Sequence, residues 1–416
     1  MTINVYLIII LAILLGNYLL EFVVERLNVS HASPRLPEEF YGFYDAERYR
    51  KSQDYLKETT YFELLTGGIS TLVLVLFILF GGFNLVDRFV RSFGLGQIST
   101  GLIFAGALLF IAEIFKIPFS AHRTFVIEEK YGFNKTTPMT FVLDLVKSWM
   151  LGGIIGGLLF SGILWFFGAF GPFAWFYSWM GVTGFQIFLM FVAPVVIMPL
   201  FNKFIPLEDG GLKDAIEAYA KKEGFKMRGV FKMDGSKRST KSNAFFTGFG
   251  RFRRIVLFDT LISKHTVDEL VSVLAHEVGH YKKKHILKYI YISIANTGLM
   301  FFILSLFINN VRLFEAFGMD SVSIYASLFF FGFLYTPLNT VISVFGNILS
   351  RKFEYESDKY AVVTYRKPEA MISALKKLSV DNLSNLTPHP LKVFLEYSHP
   401  PVIERIRAIR GLAGQA

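Results

Sequence analysis

The chain has 416 residues, of which 53% are hydrophobic and only 18% are charged, against about 25% charged in an ordinary globular protein. This composition excludes a disordered or fibrous chain, and it argues against a soluble enzyme, because a soluble surface needs more charge. Cysteine is absent, which excludes disulfides, thiolate metal ligands and a cysteine nucleophile. The composition therefore favours an integral membrane protein with some soluble mass.

Uncharged apolar stretches long enough to cross a bilayer, about 20 residues each, recur along the chain. The longest, residues 148–202, contains no Asp, Glu, Lys or Arg, and a Gly- and Pro-containing break at residues 168–172 divides it into two spans. The first stretch lacks a basic start and a cleavage site, so we interpret it as a retained anchor. We predict seven spans, the other five being residues 4–20, 64–86, 92–112, 289–311 and 321–350.

The positive charges predict how these spans are oriented. The net charge is +10, and 40 of the 43 Lys and Arg residues fall in loops on one side of the seven spans. By the positive-inside rule that side is cytoplasmic, which leaves the N-terminus outside. A pI near 9.4 could also suggest a nucleic-acid binder, but the charge follows membrane sidedness, so we expect no nucleic-acid partner.

The two large soluble pieces follow spans five and seven. The first has a helical pattern at residues 211–222 and strand-like runs at 229–233, 243–249 and 254–258. Thr266 and Glu269 then form a capping-box pattern, which starts a helix that we expect to continue toward span six. The second piece has helical patterns, which cover residues 351–365, 368–378 and 401–410.

We therefore predict a mainly α fold: a seven-span transmembrane helical bundle with a cytoplasmic α+β domain. Its predicted parts are residues 1–202 (spans one to five with cytoplasmic loops), 203–288 (first soluble piece), 289–350 (spans six and seven) and 351–416 (C-terminal soluble piece).

The segment His276-Glu277-Val278-Gly279-His280 is an H-E-x-x-H motif. On a helix, positions i and i+4 share one side, so both imidazoles can bind one zinc ion. Glu277 stands beside the first histidine, where it can act as general base on a zinc-activated water. The alternative is a surface helix with two incidental histidines.

Catalytic zinc usually has three protein ligands. His285 is a poor candidate, because it lies nine residues after His276, about 180° around the helix. Glu354 is the better candidate, and Asp358, one turn later on the same face, could accept the outer N–H of a ligating histidine. Glu356 points elsewhere. The alternative for this stretch is a solvated charge run next to a span.

Taken together, these motifs resemble the type I CAAX prenyl protease family of integral-membrane zinc metalloproteases. The resemblance covers nearly the whole chain. It is carried by Glu128-Glu129-Lys130-Tyr131-Gly132-Phe133-Asn134 with Thr136-Thr137, Pro199-Leu200-Phe201-Asn202-Lys203-Phe204, Ser242-Asn243-Ala244-Phe245-Phe246, the H-E-x-x-H motif, Phe353-Glu354-Tyr355-Glu356-Ser357-Asp358 and Ser398-His399-Pro400-Pro401 leading to Glu404-Arg405.

The resemblance implies a gluzincin-like catalytic domain, a bundle that encloses a chamber, and one zinc per chain held by His276, His280 and Glu354. Asp358 would support a ligand, and His399 and Arg405 would stabilise the substrate carbonyl as it becomes an oxyanion. An edge strand would pair with the extended substrate. Its residues would be Asn243, Ala244, Phe245 and Phe246.

The chain departs from the family at two positions, since many members have Gln in place of Glu356 and Ala in place of Ser357. It also ends without an endoplasmic-reticulum retrieval signal and has no long charged insertion between the last two spans. We expect a bacterial plasma-membrane member, with the endoplasmic reticulum as the alternative location.

The predicted activity is zinc-dependent endoproteolysis of CAAX-type or membrane-associated protein tails, prenylated or not, at a lipid bilayer. One alternative is a heat-shock-type membrane quality-control metalloprotease. Another is a transporter or channel with a vestigial zinc motif. Glu113 and Asp144, near span ends, could line a hydrated chamber or face headgroups. Nothing in the sequence predicts the oligomeric state.

Overall fold

The computed structural model describes residues 4–247 and 253–414. Seven helical segments in this part are long and apolar enough to cross a membrane, which confirms the predicted number. The helices are α1 (Val5–His31), α2 (Ala46–Leu79), α3 (Gly82–Arg91), α4 (Gln97–His122), α5 (Pro138–Ala169), α6 (Ala174–Val192), α7 (Met198–Phe201), α8 (Gly211–Lys222), α9 (Asp259–Ile262), α10 (Val267–Lys282), α11 (His285–Phe307), α12 (Val311–Ala316), α13 (Ile324–Tyr365), α14 (Pro368–Asp381), α15 (Pro390–Glu396) and α16 (Val402–Ala413).

The predicted division of the longest apolar stretch is confirmed. Helix α5 ends at Ala169, and one tight helical turn at Gly171–Phe173 leads into α6. Pro172 lies in this turn, and Gly171 adopts a positive φ of 51°, a backbone conformation that glycine reaches without steric cost. The chain can therefore reverse direction between spans four and five.

The spans contact each other along seams rather than around one packed core. In their most apolar windows only 0% to 22% of the residues are buried inside the protein. Buried apolar residues gather instead in clusters, one of which joins α1, α4 and α13 through Ile10, Phe104 and Phe330. Most side chains of the spans are thus left to face lipid or the interior of the bundle.

A four-stranded sheet lies in the soluble part, with the order β1-β2-β4-β3. Strands β2 (Gly229–Met233) and β4 (Arg254–Phe258) are parallel, whereas β1 (Phe204–Pro206) and β3 (Ala244–Thr247) pair antiparallel at the two edges. The sequence did not predict β1. The predicted strand 243–249 continues into residues 248 and 249, which lie outside the described residues.

Loops between the spans belong to the soluble core. Phe40, Tyr131 and Phe133 are buried together with residues of α8, α10 and the sheet. Asp144 near the start of α5 accepts two hydrogen bonds from Arg238, at 2.7 and 2.9 Å, and Arg238 also donates to Asn202 at 2.8 Å. Asp144 therefore anchors span four to the soluble domain, whereas Glu113 forms an ion pair with the exposed Lys116 of its own helix.

One predicted element was wrong in its extent. The helix that begins after Thr266 does not continue toward span six, because α10 ends at Lys282 and α11 begins anew at His285. Between them Lys284 adopts a left-handed conformation with φ of 59°. In contrast, the predicted helix 351–365 is part of α13, which runs without interruption from span seven into the soluble part.

Candidate metal centre

Helix α10 is fixed at its first turn by the predicted capping box. The side chain of Thr266 accepts from the backbone N–H of Glu269, and Glu269 accepts from the N–H of Thr266 at 2.8 Å. Glu269 also accepts from Ser373 and Lys377 of α14. These bonds satisfy free N–H groups of the helix end and attach α10 to its neighbour.

Gly279 lets α13 approach α10 closely. A Cβ atom at this position would lie 3.0 Å from the Cα and 3.1 Å from the carbonyl oxygen of Ser357, which belong to the backbone of α13. Ser357 is fully buried at this contact. The absence of a side chain at Gly279 therefore brings Glu354 and Asp358, one turn apart on α13, against the histidines of α10.

Three side chains converge where the two helices meet. The Nε2 atoms of His276 and His280 are 3.1 Å apart, and oxygens of Glu354 lie 3.4 and 3.2 Å from them. The carboxylate of Glu354 is buried, with 3% of the residue exposed. The structure thus brings together the three predicted ligands, and the alternatives of incidental histidines and a solvated charge run do not describe this arrangement.

The donor set fits a zinc ion. For tetrahedral zinc with bonds near 2.0 to 2.1 Å, neighbouring ligand atoms are separated by about 3.3 Å, and the observed separations lie between 3.1 and 3.4 Å. Two imidazole nitrogens and one carboxylate are also a ligand set of catalytic zinc sites. The residues His276, His280 and Glu354 could therefore hold the metal with little rearrangement.

Asp358 orients the first histidine. Nδ1 of His276 donates to Oδ1 of Asp358 at 2.7 Å, and Arg405 donates to both oxygens of the same carboxylate, at 2.6 and 2.9 Å. Burial lowers the pKa of His276, but the hydrogen bonds to Asp358 and Glu354 outweigh it and raise that pKa to about 9 in the metal-free protein. The ring is thereby held with Nε2 toward the centre.

Glu277 lies next to His276 and is partly exposed. Burial raises the pKa of Glu277, with the neighbouring His276 and His280 opposing that shift. A carboxylate with a raised pKa is a stronger base than an ordinary glutamate, which suits it to accept a proton near neutral pH.

Two residues that the sequence did not assign to the site lie behind His280. His285 approaches Nδ1 of His280 with its own Nδ1 at 3.1 Å, and its Nε2 lies 3.0 Å from Oε2 of Glu356. The prediction that His285 lies on the far side from His276 holds for an unbroken helix, whereas the break at Lys284 turns His285 toward His280. Glu356 does point away from Glu354, as predicted, but toward His285.

Of the remaining predicted residues, two contact Glu354, and the others lie on β3 or directly before it. His399 is 64% exposed at its side chain, and its Nε2 lies 3.4 Å from Oε1 of Glu354. Arg405 is mostly buried and also reaches Oε2 of Glu354 at 3.3 Å. Asn243 is exposed directly before the edge strand β3, where its carbonyl accepts from Phe258, and β3 packs against α10.

Seven membrane-capable helices and a buried His-His-Glu centre on two packed helices define the class as an integral-membrane metallopeptidase. Comparison of the sequence with known protein families supports this class. Residues 25–203 match the model of the CAAX prenyl protease N-terminal region, five membrane helices, and residues 206–413 match that of peptidase family M48. The chain therefore belongs to peptidase family M48 and is a multi-pass zinc metalloprotease, not a transporter.

Individual relatives match over nearly their whole length. CAAX prenyl protease 1 homolog of Arabidopsis thaliana is 36% identical over 388 residues, 91% of each chain. CAAX prenyl protease 1 of Saccharomyces cerevisiae is 34% identical and covers 94% of this chain and 91% of its own. A crystal structure of S. mikatae Ste24p superposes with a TM-score of 0.93 at 32% identity, over 98% of this chain and 100% of that one.

Proposed function

We propose that this protein hydrolyses peptide bonds in CAAX-type C-terminal tails of proteins, prenylated or not. The observation that carries the proposal is the convergence of His276, His280 and Glu354 beside Glu277, in a chain whose relatives bear the name CAAX prenyl protease. Because Glu354 belongs to a helix that continues from a span, the centre lies close to the membrane, where a lipid-anchored tail would be presented.

His276, His280 and Glu354 would hold the zinc ion. Bound there, zinc supplies an activated water and a positive charge that polarises the scissile carbonyl. Asp358 keeps the proton of His276 on Nδ1, so that Nε2 presents its lone pair to the metal.

Glu277 is the proposed general base. Its carboxylate accepts a proton from the attacking water and afterwards passes it to the leaving amine. His399, at the exposed side of the centre, and Arg405, on its buried side, are the residues proposed to stabilise negative charge on the carbonyl oxygen. Arg405 is held for this by its two hydrogen bonds to Asp358.

The strand β3 is the proposed substrate platform. Among the described residues, β3 pairs with β4 on one side only, which leaves its other edge to donate and accept backbone hydrogen bonds. A substrate in extended conformation could add there as a further strand, beside Asn243 and along Ala244, Phe245 and Phe246.

The same site could serve membrane-protein quality control, with unfolded membrane-associated tails as substrates. We further propose that the catalytic parts, residues 203–288 and 351–416, face the cytoplasm and that residues 1–202 and 289–350 supply the spans. Of the predicted membranes, we favour a bacterial plasma membrane, with the endoplasmic reticulum as the alternative. The charge distribution supports the orientation, since 40 of 43 Lys and Arg residues lie on that predicted side.

The decisive variant is Glu277→Gln in the purified full-length protein. We expect it to keep one zinc per chain while kcat on a CAAX peptide falls by about 10²- to 10⁴-fold, the usual contribution of a general base. The matched control is Glu217→Gln on the exposed face of α8, which should keep both zinc and activity.

The two substrate classes can be distinguished by their kcat/KM values. The substrates to compare are a farnesylated CAAX peptide, its unmodified form and an unfolded membrane-protein tail. A kcat/KM that is highest for the two CAAX peptides supports the proposal, and a preference for the unfolded tail would move the assignment to quality control. Full proteolysis by zinc-loaded Glu277→Gln would overturn the assigned mechanism.

A further inference from the structure

His285 occupies a position that only the break between α10 and α11 makes possible. Lys284 adopts the left-handed conformation with φ of 59°, which residues other than glycine rarely adopt. The new helix then starts at His285, whose ring turns back toward His280 and is buried, with 1% of its surface exposed. A strained connection thus delivers a histidine to the rear of the proposed metal centre.

The ring of His285 is held on three sides. It stacks on Phe353 of α13 with a centroid distance of 4.0 Å and an angle of 7° between the planes. One ring nitrogen faces Nδ1 of His280 at 3.1 Å, and the other faces Oε2 of Glu356 at 3.0 Å. The ring is buried away from water, and both of its nitrogens have protein partners.

With Glu356 ionised and His285 neutral, the two contacts together allow one arrangement of protons. An ionised Glu356 only accepts hydrogen bonds, so Nε2 of His285 must carry the proton in that contact. A neutral His285 then presents a lone pair at Nδ1, which accepts the Nδ1 proton of His280. This leaves the lone pair of His280 on Nε2, the atom that faces His276 and Glu354.

We propose that His285 and Glu356 are positioning residues that set the tautomer and the ring orientation of His280 for metal binding. The inference deepens the proposed function and rests on His280 as a zinc ligand. The two metal histidines would then be supported in different ways, His276 by Asp358 directly and His280 by Glu356 through an intervening imidazole. Outer partners of metal ligands commonly contribute 10- to 100-fold to metal affinity.

The test measures zinc affinity of the full-length protein by competition with a chromophoric chelator. His285→Phe keeps an aromatic ring on Phe353 but removes both nitrogens, and it should weaken zinc binding about 10- to 100-fold. Glu356→Ala should weaken it in the same direction, while Glu356→Gln, whose amide oxygen can still accept from His285, should remain within a few-fold of wild type.

The controls match each change elsewhere in the chain. His265 is also a buried histidine, and its Nδ1 contacts the carbonyl of Leu261 away from the centre, so His265→Phe tests the loss of a buried imidazole as such. Glu208, whose side chain is 84% exposed, provides the charge control as Glu208→Ala. Both should bind zinc as wild type does.

The double variant His285→Phe/Glu356→Ala distinguishes a relay from two separate structural effects. If Glu356 acts through His285, the double variant should bind zinc no more weakly than His285→Phe alone. The electronic spectrum of the cobalt-substituted protein should change in the same variants, because it reports the ligand geometry.

Wild-type zinc affinity in both single variants, or additive losses in the double variant, would overturn the proposal. If His285→Phe does not fold, the contrast between Glu356→Ala and Glu356→Gln decides alone. Zinc retained in full by His280→Ala would instead disprove the ligand set of the proposed function, so the two failures are distinguishable.

Discussion

Asp358 contacts His276 and Arg405 at once, and this shared contact links metal binding to charge balance in the site. The carboxylate accepts from the imidazole through one oxygen and from the guanidinium through both. Arg405 offsets the buried carboxylates of Asp358 and Glu354, and in the proposed mechanism the same positive charge would lie next to the reacting carbonyl. A buried carboxylate pair without it would be costly to ionise.

The raised pKa of His276 predicts how zinc binding depends on pH. Below about pH 9 the metal-free ring is doubly protonated, so the metal must displace a proton from it. We expect the apparent Kd for zinc to fall about tenfold for each unit that the pH rises from 7.5 to 8.5. Chelator competition at several pH values measures this slope.

Asp358→Asn is the companion variant, because it removes the negative charge that raises the pKa of His276. It should bind zinc more weakly and with a flatter dependence on pH over the same range. A wild-type affinity that does not change between pH 7.5 and 8.5 would contradict the prediction.

For single residues, the sequence predicted the site residues whose positions follow from helical spacing, but it did not predict the one whose position depends on a turn. His276, His280 and Glu277 follow from helical spacing in one segment, and Glu354 and Asp358 from spacing in another. The inclusion of His285 depends on a single left-handed residue, Lys284, which carries no glycine signal in the sequence. No spacing argument on a continuous helix could have found it.

Helices α10 and α13 form the scaffold of the centre, and Gly279 sets the distance between them. The Cβ of Gly279→Ala would meet the backbone of α13, which cannot move aside as a flexible side chain would. We expect the variant to lose about 1 to 3 kcal/mol of unfolding free energy, the range for overpacking, and to bind zinc more weakly as Glu354 is displaced. Thermal unfolding and chelator competition measure the two effects.

Gly411→Ala on α16 is the matched control, since a Cβ there meets nothing within 4 Å. A helical glycine replaced in open space should be neutral or stabilising by up to about 1 kcal/mol. Equal stability and zinc affinity in both variants would show that Gly279 does not set the helix spacing.

The contact between Asp144 and Arg238 joins a span to the soluble domain. The carboxylate and guanidinium form two parallel hydrogen bonds, and each side chain is 23% exposed. In a double-mutant cycle of Asp144→Ala and Arg238→Ala, we expect a coupling energy of about 1 to 2 kcal/mol in thermal or denaturant unfolding.

The control cycle uses Asp209 and Lys213, a pair at the start of α8 in the soluble part whose side chains are 93% and 31% exposed. Exposed ion pairs usually contribute well under 1 kcal/mol, so this coupling should be close to zero. Similar coupling in the two cycles would mean that the Asp144 contact does not fasten the domain to the span.

Elements with a strong local pattern could be predicted closely, and those set by tertiary contacts could not. The α8, β2 and β4 bounds match the predicted residues, because each is a periodic run bounded by turn residues. Strand β1 has three residues and exists only because β2 pairs with it, so no periodicity reveals it. Span seven and the helix 351–365 were predicted as neighbouring elements, and the structure joins them as the single helix α13.

Across the whole molecule, α13 runs without interruption from the apolar helices into the soluble part. Loops after spans one and three enter the soluble core, as Phe40 and Phe133 show, and other buried clusters lie between spans. This arrangement places the proposed metal centre near one end of the spans, so the orientation of the chain decides which side of the membrane supplies its substrates.

The absence of cysteine makes that orientation directly testable, because any introduced cysteine is the only thiol in the chain. Two positions are suitable for single cysteine substitutions. Asp209 lies in the soluble part, with 93% of its side chain exposed, and Ser92 follows α3 at the opposite end of the spans. If the catalytic parts are cytoplasmic, a membrane-impermeant maleimide applied to intact cells should label Ser92→Cys and not Asp209→Cys. Permeabilised cells, in which both must react, control for accessibility. Labelling of Asp209→Cys alone in intact cells would reverse the predicted topology and place the zinc chemistry on the outer face.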